Sequence, residues 1–359
     1  MARRSATTSR DATVLPVPSA RVALIGAGTI AAAYVDGLRA TPGVEVVAVC
    51  TRSRASAAAF AREKDLEART LDEVLADPAI NYVLNLTPAA AHAPVTRAAL
   101  EAGKSVYSEK PLASDLATAD QLIAVAEARG LLLACGPATF CWPPYATARR
   151  LLAQEALGRV RGALSLLVYP GPEIFHPRPA ALYSKGSGPL HDMGVYQITA
   201  LIDLLGPVTS VQSIGSRARD ARCILVGPDE GRSFPVTVPT HVHALMEHES
   251  GALSSVIVSF DAVSATAPRL ELFGEKGGLE LANAHSPGAS LALRLGSAPP
   301  EKLELDPPVW SPALFSVGPS SAWTEHHRRL EVTMAALRAR DTLAVLLEIE
   351  RCTTMPLRA

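Results

Sequence analysis

Short apolar runs rich in branched residues recur through the first third of the chain, with longer helix-compatible stretches between them. Arg21–Ile25, Val44–Cys50, Ile80–Leu86, Ser105–Ser108 and Leu131–Cys135 read as strands. The stretch from Ala31 onward, Ala55–Lys64, Leu71–Leu75, Ala91–Ala102 and Leu116–Arg129 read as helices. Gly103 and Gly130 stand where two of those helices end, the usual place for a C-cap glycine. Strands alternating with helices at this spacing predict an α/β half built on a doubly wound parallel sheet of the Rossmann type.

Past Cys141-Trp142-Pro143-Pro144 the pattern changes. One helix over Ala146–Leu157 leads into alternating, strand-like runs: Val160–Tyr169, Val208–Ile214, His241–His248, Leu253–Phe260, Leu270–Phe273 and Leu279–Leu281. The turn Glu275-Lys276-Gly277-Gly278 joins the last two. One helix, Val195–Leu205, interrupts the series, and another covers the tail at Trp323–Thr353. Mostly strand with few helices predicts a C-terminal α+β half with a large, mostly antiparallel open sheet. Ser286–Pro300 and Asp306–Ser320, rich in Pro and Gly, read as surface loops. The chain is thus expected to divide into an arm over 1–20, a dinucleotide-binding domain over 21–140 and a substrate-binding and oligomerisation domain over 141–359. The tail helix 323–353 is expected to pack back on the first domain.

Composition narrows this further. The 359 residues are 48% hydrophobic and 19% charged, with a formal net charge of −1. That suits two globular domains and gives no bulk attraction to nucleic acid or anionic lipid. The five cysteines are scattered without C-x-x-C spacing, against a disulfide framework or a structural zinc and in favour of a reducing compartment. Met1–Ala20 is polar and Ser/Thr-rich. Arg3-Arg4 is followed by no apolar stretch of the kind an export signal needs, so the stretch reads as a disordered arm on a cytoplasmic protein. No apolar run is long enough to cross a membrane.

The first candidate chemistry follows the first strand. Gly26-Ala27-Gly28-Thr29-Ile30-Ala31 joins a buried strand to a helix and matches the G-x-G-x-x-G/A dinucleotide fingerprint. Gly26 permits the tight turn, Gly28 a close backbone approach to a pyrophosphate, and Ala31 close helix–strand packing. The second strand ends in Thr51-Arg52-Ser53-Arg54, where an acidic residue would bind a ribose 2′-OH. Two arginines and no carboxylate favour a 2′-phosphate, hence NADP(H), with NAD(H) as the alternative. A solvated basic turn that starts the next helix is the plainer reading. Thr87, His92, Glu109, Lys110 and Pro111 fall near the carboxyl ends of later strands, where ligands of such sheets sit.

Lys110 could hydrogen-bond a substrate hydroxyl and help move its proton. Burial and a neighbouring cation would lower its pKa toward neutrality. A surface lysine paired with Glu109 fits the spacing equally. In Gly186-Ser187-Gly188-Pro189-Leu190-His191-Asp192-Met193-Gly194-Val195-Tyr196, the carboxylate of Asp192 and the phenol of Tyr196 are four apart and share a helix face. They could relay a proton, or Asp192 could cap the helix and Tyr196 pack in the core. His241 and His243 share a strand face. Two histidines without a third ligand predict no metal site.

Taken together, these stretches resemble the Gfo/Idh/MocA family of glucose–fructose oxidoreductases and inositol dehydrogenases. The resemblance runs from Arg21 to about Leu281. It rests on Gly26-Ala27-Gly28, Asn85-Leu86-Thr87-Pro88 with His92, Glu109-Lys110-Pro111 and Asp192-Met193-Gly194-Val195-Tyr196. It implies a two-domain enzyme that moves a hydride between a nicotinamide and a carbon of a sugar, keto-sugar or cyclitol. It implies catalytic roles for Lys110, Asp192 and Tyr196, with a Lys110–Pro111 bond that is often cis and aims the lysine into the cleft. Tyr196, where another branch carries His, points to the glucose–fructose oxidoreductase branch. The cofactor residues it implies, with the fingerprint, are Gly26, Gly28, Thr29, Ile30, Thr51, Arg52, Ser53, Arg54, Leu86, Thr87, Pro88, His92, Glu109 and Lys110. His176, Tyr183 and His191 join Lys110, Asp192 and Tyr196 as candidate substrate contacts. His191 departs from the family pattern, which is usually apolar at that position. A homodimer or homotetramer through the C-terminal sheet is expected. The rival readings are a cofactor-retaining enzyme that cleaves glycosides or eliminates, and a non-catalytic nucleotide-sensing protein of the same fold.

Overall fold

Buried on both faces, β1 (Ala20–Ile25) shows why the first half folds as it does: Val22, Ala23, Leu24 and Ile25 are all inside. The computed structural model describes residues 20–41, 43–139, 142–266, 268–286, 288–306 and 325–353, with backbone alone for 325–335. The expected arm up to residue 19, Cys141, most of the expected loop over 306–320 and the first two residues of the expected tail helix lie outside them.

After β1 come α1 (Ala31–Arg39), β2 (Val44–Cys50), α2 (Arg54–Lys64), β3 (Glu67–Ala68), α3 (Leu71–Ala76), β4 (Tyr82–Asn85), α4 (His92–Glu101), β5 (Ser105–Ser108), α5 (Leu116–Ala128) and β6 (Leu133–Cys135). The six strands form one parallel sheet in the order β3-β2-β1-β4-β5-β6. The order reverses between β1 and β4, so a crevice opens beyond their carboxyl ends. Local signals set the helix starts. Ser53 caps α2 by accepting from Ser56 N, and Thr70 with Glu73 forms a capping box at α3. The short strand β3 had no apolar run to announce it.

The second half adds α6 (Pro143–Ala153), β7 (Val160–Val168), α7 (Val195–Leu205), β8 (Val208–Ser216), β9 (Ala221–Cys223), β10 (Ser233–Pro235), β11 (His241–His248), β12 (Leu253–Ser259), β13 (Arg269–Gly274), β14 (Gly277–Ala282), β15 (Ser290–Leu295), β16 (Glu301–Lys302) and α8 (Glu325–Cys352). Eight of these strands make an open sheet in the order β16-β15-β14-β13-β7-β12-β11-β8. All its pairs are antiparallel except β7 with β12. One face packs on α7, whose Ile198 and Leu201 share one buried apolar core with Val256, Leu272 and Leu281. α6 starts earlier than expected because Pro143 and Pro144 take first-turn positions, where a missing N–H is harmless. The expected loop 286–300 is corrected: β15 runs through it. Leu291 is fully buried and Leu293 packs on the core, so burial and the ladder with β14 outweigh the flanking Pro and Gly.

α8 contributes to both halves. Its Ala336, Ala339 and Leu343 enter the core over the parallel sheet, while Val345, Leu346 and Ile349 enter the core of the open sheet. Thr342 Oγ1 lies 3.0 Å from Thr199 Oγ1 of α7, and Arg338 pairs at 3.0 Å with Asp203. No helix among the described residues is long and apolar enough to cross a membrane.

A buried charge cluster pins the segment after β7. Arg222, on β9, pairs with Glu173 and Asp261, and donates to Pro170 O at 2.8 Å and Phe260 O at 2.7 Å. Tyr183 donates to the other oxygen of Glu173. Removing one partner of a buried pair strands the other charges, a loss of about 3–5 kcal/mol. Arg222→Met should therefore lower unfolding stability in urea by about that amount. A loss below about 1 kcal/mol would contradict this account of the cluster.

Candidate active site

The turn after β1 is shaped as a cradle. Gly26 has φ +110°, and a Cβ there would lie 2.5 Å from Leu86 O, so only glycine fits beside the end of β4. A Cβ on Gly28 would meet nothing within 4 Å, so that backbone faces open space. Thr29 and Ile30 are exposed at the N-terminus of α1, Ile30 to 45% although apolar. Free N–H groups and an exposed apolar side chain beside an open glycine turn suit a dinucleotide. Arg52, Ser53 and Arg54 stand exposed at the start of α2, next in the sheet beyond β2, with the Thr51 hydroxyl donating to Ser53 O at 2.7 Å.

The strand-end motifs turn out to be braced by one another. Asn85 Nδ2 donates to His92 O at 3.0 Å and Thr96 Oγ1 at 3.1 Å, and its Oδ1 accepts from the Thr87 hydroxyl at 2.6 Å. Buried His92 sits between two carbonyls, with Nδ1 2.7 Å from Pro111 O and Nε2 2.7 Å from Thr87 O. Its ring is therefore occupied by the protein and ties the Leu86–Pro88 loop to the loop carrying Lys110. Leu86 is buried and Pro88 exposed at that loop. Glu109 accepts from Tyr34 of α1 and, at 3.1 Å, from Lys110 N. The Lys110–Pro111 peptide is cis.

Lys110 and Asp192 meet across the two halves. Lys110 Nζ donates to Asp192 O at 2.8 Å and Oδ1 at 3.1 Å, and lies 5.3 Å from the centre of the Tyr196 ring. Asp192 belongs to a π-type turn, Leu190–Gly194, that runs straight into α7, which carries Tyr196. The expectation of a lowered lysine pKa is corrected. Burial does oppose the ammonium, but the charge of Asp192 and its hydrogen bond outweigh it, and Lys110 ends above its ordinary value of 10.5. No cation among the described residues figures among the leading causes of that shift. Burial raises the Tyr196 phenol, against the pull of Lys110, so it keeps its proton at neutral pH.

Two further groups surround this pair. The His285 ring packs edge-on to Tyr196, with centroids 4.5 Å apart. Burial, and then the charge of Lys110, hold its pKa below the usual histidine value, so the imidazole is neutral. Tyr169, at the end of β7, packs against Phe260 and Phe175, and its phenol is raised by burial first and then by the charge of Asp192. Nothing in the local sequence signalled either. His285 lies just before the segment read as loop, and its place depends on the unrecognised pairing of β14 with β15.

Of the other expected contacts, Tyr183 is fully buried in the Arg222 cluster, His176 Nδ1 accepts from Arg178 N at 3.0 Å, and His191 Nε2 lies 3.4 Å from Glu350 of α8. The structure does not bring these three to Lys110. His241 and His243 share the outer face of β11, their Nε2 atoms 2.9 Å apart, and no metal-holding cluster of three or more His, Cys, Asp or Glu occurs among the described residues.

Residues 20–136 match the model of an oxidoreductase family with an NAD-binding Rossmann fold, and residues 145–280 match the GFO/IDH/MocA C-terminal domain. The chain is 30% identical over 279 residues to dTDP-3,4-didehydro-2,6-dideoxy-alpha-D-glucose 3-reductase of Streptomyces antibioticus, spanning 76% of this chain and 78% of that one. It is 28% identical to trans-1,2-dihydrobenzene-1,2-diol dehydrogenase of Oryctolagus cuniculus, over 67% of this chain and 69% of that one. Among solved structures, its fold is similar to that of aldose-aldose oxidoreductase from Caulobacter crescentus, with TM-score 0.74, 22% identity and coverage of 93% and 97%. It is also similar to that of a 3-ketoreductase from Actinomadura kijaniata in complex with NADP and TDP-benzene, with TM-score 0.73, 22% identity and coverage of 94% and 98%.

The raised Lys110 pKa sets a pH dependence. A group whose folded pKa exceeds its unfolded one stabilises the fold fully below the unfolded value, about 10.4, and loses that contribution as pH rises through the folded value. The Tm difference between the wild type and Lys110→Met should hold steady from pH 7 to about 10 and shrink above it. A difference that already shrinks between pH 7 and 9 would show that the lysine is not held as an ammonium.

Proposed function

The chain belongs to the Gfo/Idh/MocA family of NAD(P)-dependent oxidoreductases, and we propose that it moves a hydride between a nicotinamide and a hydroxyl or carbonyl carbon of a sugar, keto-sugar or cyclitol, with NADP(H) preferred. The observation that carries this reading is the meeting of Lys110, Asp192 and Tyr196 beyond the carboxyl ends of the parallel sheet. With its pyrophosphate held at the Gly26–Ile30 turn, a nicotinamide dinucleotide would supply the hydride when bound. The remaining work belongs to the chain. Tyr196, still protonated, gives its proton to the substrate oxygen as a carbonyl is reduced. The Lys110 ammonium, oriented by Asp192, faces the same oxygen and stabilises the negative charge that develops there. The proton transfer leaves a Tyr196 phenolate, which regains its proton from water, and in the oxidising direction the phenolate form of Tyr196 takes the proton of the substrate hydroxyl.

The sugar reading draws support from the substrates that relatives are named for, the Streptomyces antibioticus 3-reductase among them. The NADP preference rests on Arg52 and Arg54, exposed where β2 ends without a carboxylate. The proposal extends to the division at about residue 140, a cytoplasmic setting and self-association. The outer face of the open sheet exposes Ile214, Leu245 and Leu253, apolar surface that suits a second copy.

Lys110→Ala and Tyr196→Phe should each cut kcat by about 100-fold or more, while NADPH quenching of protein fluorescence still reports binding. Unchanged turnover in both would overturn the reading. Arg52→Ala combined with Arg54→Ala should lower the ratio of NADPH to NADH kcat/KM by about tenfold or more, because charge-assisted bonds to a phosphate are lost. An unchanged ratio would remove the NADP preference and leave the redox reading intact.

A further inference from the structure

Lys110 holds Asp192 from one side, and among the described residues no other hydrogen bond fixes the Asp192 carboxylate. The turn that carries it is held elsewhere. A π-type turn is wider than an ordinary helical one, and its successive side chains go different ways. Leu190 packs into the core of the open sheet, and Gly194 lies so close to β12 that an added Cβ would be 3.5 Å from Val258 Cγ1. His191 turns instead to α8. Its side chain is 12% exposed, and Nε2 lies 3.4 Å from Glu350 Oε2, with no closer partner among the described residues. A carboxylate only accepts, so Nε2 presents an N–H to it in the neutral ring as in the charged one. The contact with His191 is the first of the causes that hold the Glu350 carboxyl below the usual carboxylate range, against burial and with a smaller pull from Lys185. Glu350 stands on a fixed base. Its neighbour Ile349 is fully buried, and Ser213 Oγ of β8 donates to Ile349 O at 2.8 Å and lies 2.9 Å from Thr353 Oγ1.

Resting on the redox reading above, we propose that His191 and Glu350 form a positioning pair, which ties the Asp192 turn to α8 and so keeps the carboxylate and carbonyl of Asp192 on Lys110. The pair acts through the backbone. His191 and Asp192 are consecutive, so a turn released from α8 lets the two acceptor oxygens drift from an ammonium they must meet at hydrogen-bond distance. α8 also packs into the core over the parallel sheet, the half that carries Lys110. One helix therefore sets the position of both sides of the ion pair. The apolar side chain usual at position 191 would fill the same space and make no such tie.

The test uses the full chain without substrate and reads Lys110 directly. Acetic anhydride acylates the free amine and not the ammonium, so a lysine held against an anion labels slowly. The rate for Lys110 is measured by peptide mass spectrometry against that for exposed Lys302 in the same sample. His191→Leu and Glu350→Gln should each raise the Lys110 to Lys302 ratio by about threefold or more. His191→Gln, whose amide offers an N–H to the same carboxylate, should restore most of the protection. On a keto-sugar that the wild type reduces, His191→Leu should lower kcat by about fivefold or more, with KM and the NADPH Kd within about twofold of the wild type. Unchanged labelling in both His191→Leu and Glu350→Gln would overturn the proposal, as would His191→Gln no better than His191→Leu, or an unchanged kcat in a variant that frees Lys110. The redox reading fails separately, by turnover indifferent to Lys110 and Tyr196, and the labelling still decides whether the pair holds the Asp192 turn.

Discussion

One ion pair joins what the two halves supply. Lys110 extends from the loop after β5 of the parallel sheet, and Asp192 from the turn that opens α7 over the other sheet. Each charge is largely withdrawn from water, and such a pair persists only when geometry and extra hydrogen bonds offset desolvation. Here the second bond to Asp192 O supplies that offset. The pair fixes the lysine as an ammonium and places it over the Tyr196 ring. The chemistry proposed for the site depends on that arrangement.

Much of the structure bears on holding the pair in register. On the lysine side, Asn85 and His92 lace the β4 and β5 loops together, and Tyr34 fixes Glu109. On the aspartate side, the Arg222 cluster pins the segment that leads into the glycine-rich stretch before Asp192. α8 packs into both cores and so limits their relative movement. A positioned carboxylate, lysine and phenol have value only if held to within a fraction of an ångström, which explains the investment in buried polar bracing.

The fold was largely legible because its signals are local. The strand over 44–50, the helix over 195–205 and the strand over 241–248 announce themselves by periodicity and caps, and their bounds agree with the structure. The short and the edge elements were not. β3 is only Glu67 and Ala68, too short for an apolar run, and β15 lies among prolines and glycines whose turn signal hides Leu291 and Leu293. In the site, the spacing left Lys110, Asp192 and Tyr196 open to plainer readings and the family resemblance singled them out, and the structure places them together. It could not show that His92 spends its ring on two carbonyls, that Tyr183 is sealed beside Arg222, or that the lysine's neighbour is an anion. Those facts arise from tertiary packing. His285 and Tyr169 were hidden for the same reason, since each reaches the site only through the strand pairing that carries it.

The most direct test of the account is a double-mutant cycle on Lys110→Met and Asp192→Asn, read as kcat/KM for NADPH-dependent reduction of a keto-sugar. If the pair acts as one unit, the double variant should lose little more than the worse single variant, a coupling of about 1–3 kcal/mol. Strictly additive losses would show that the two residues act independently, and the ion pair would no longer explain the site.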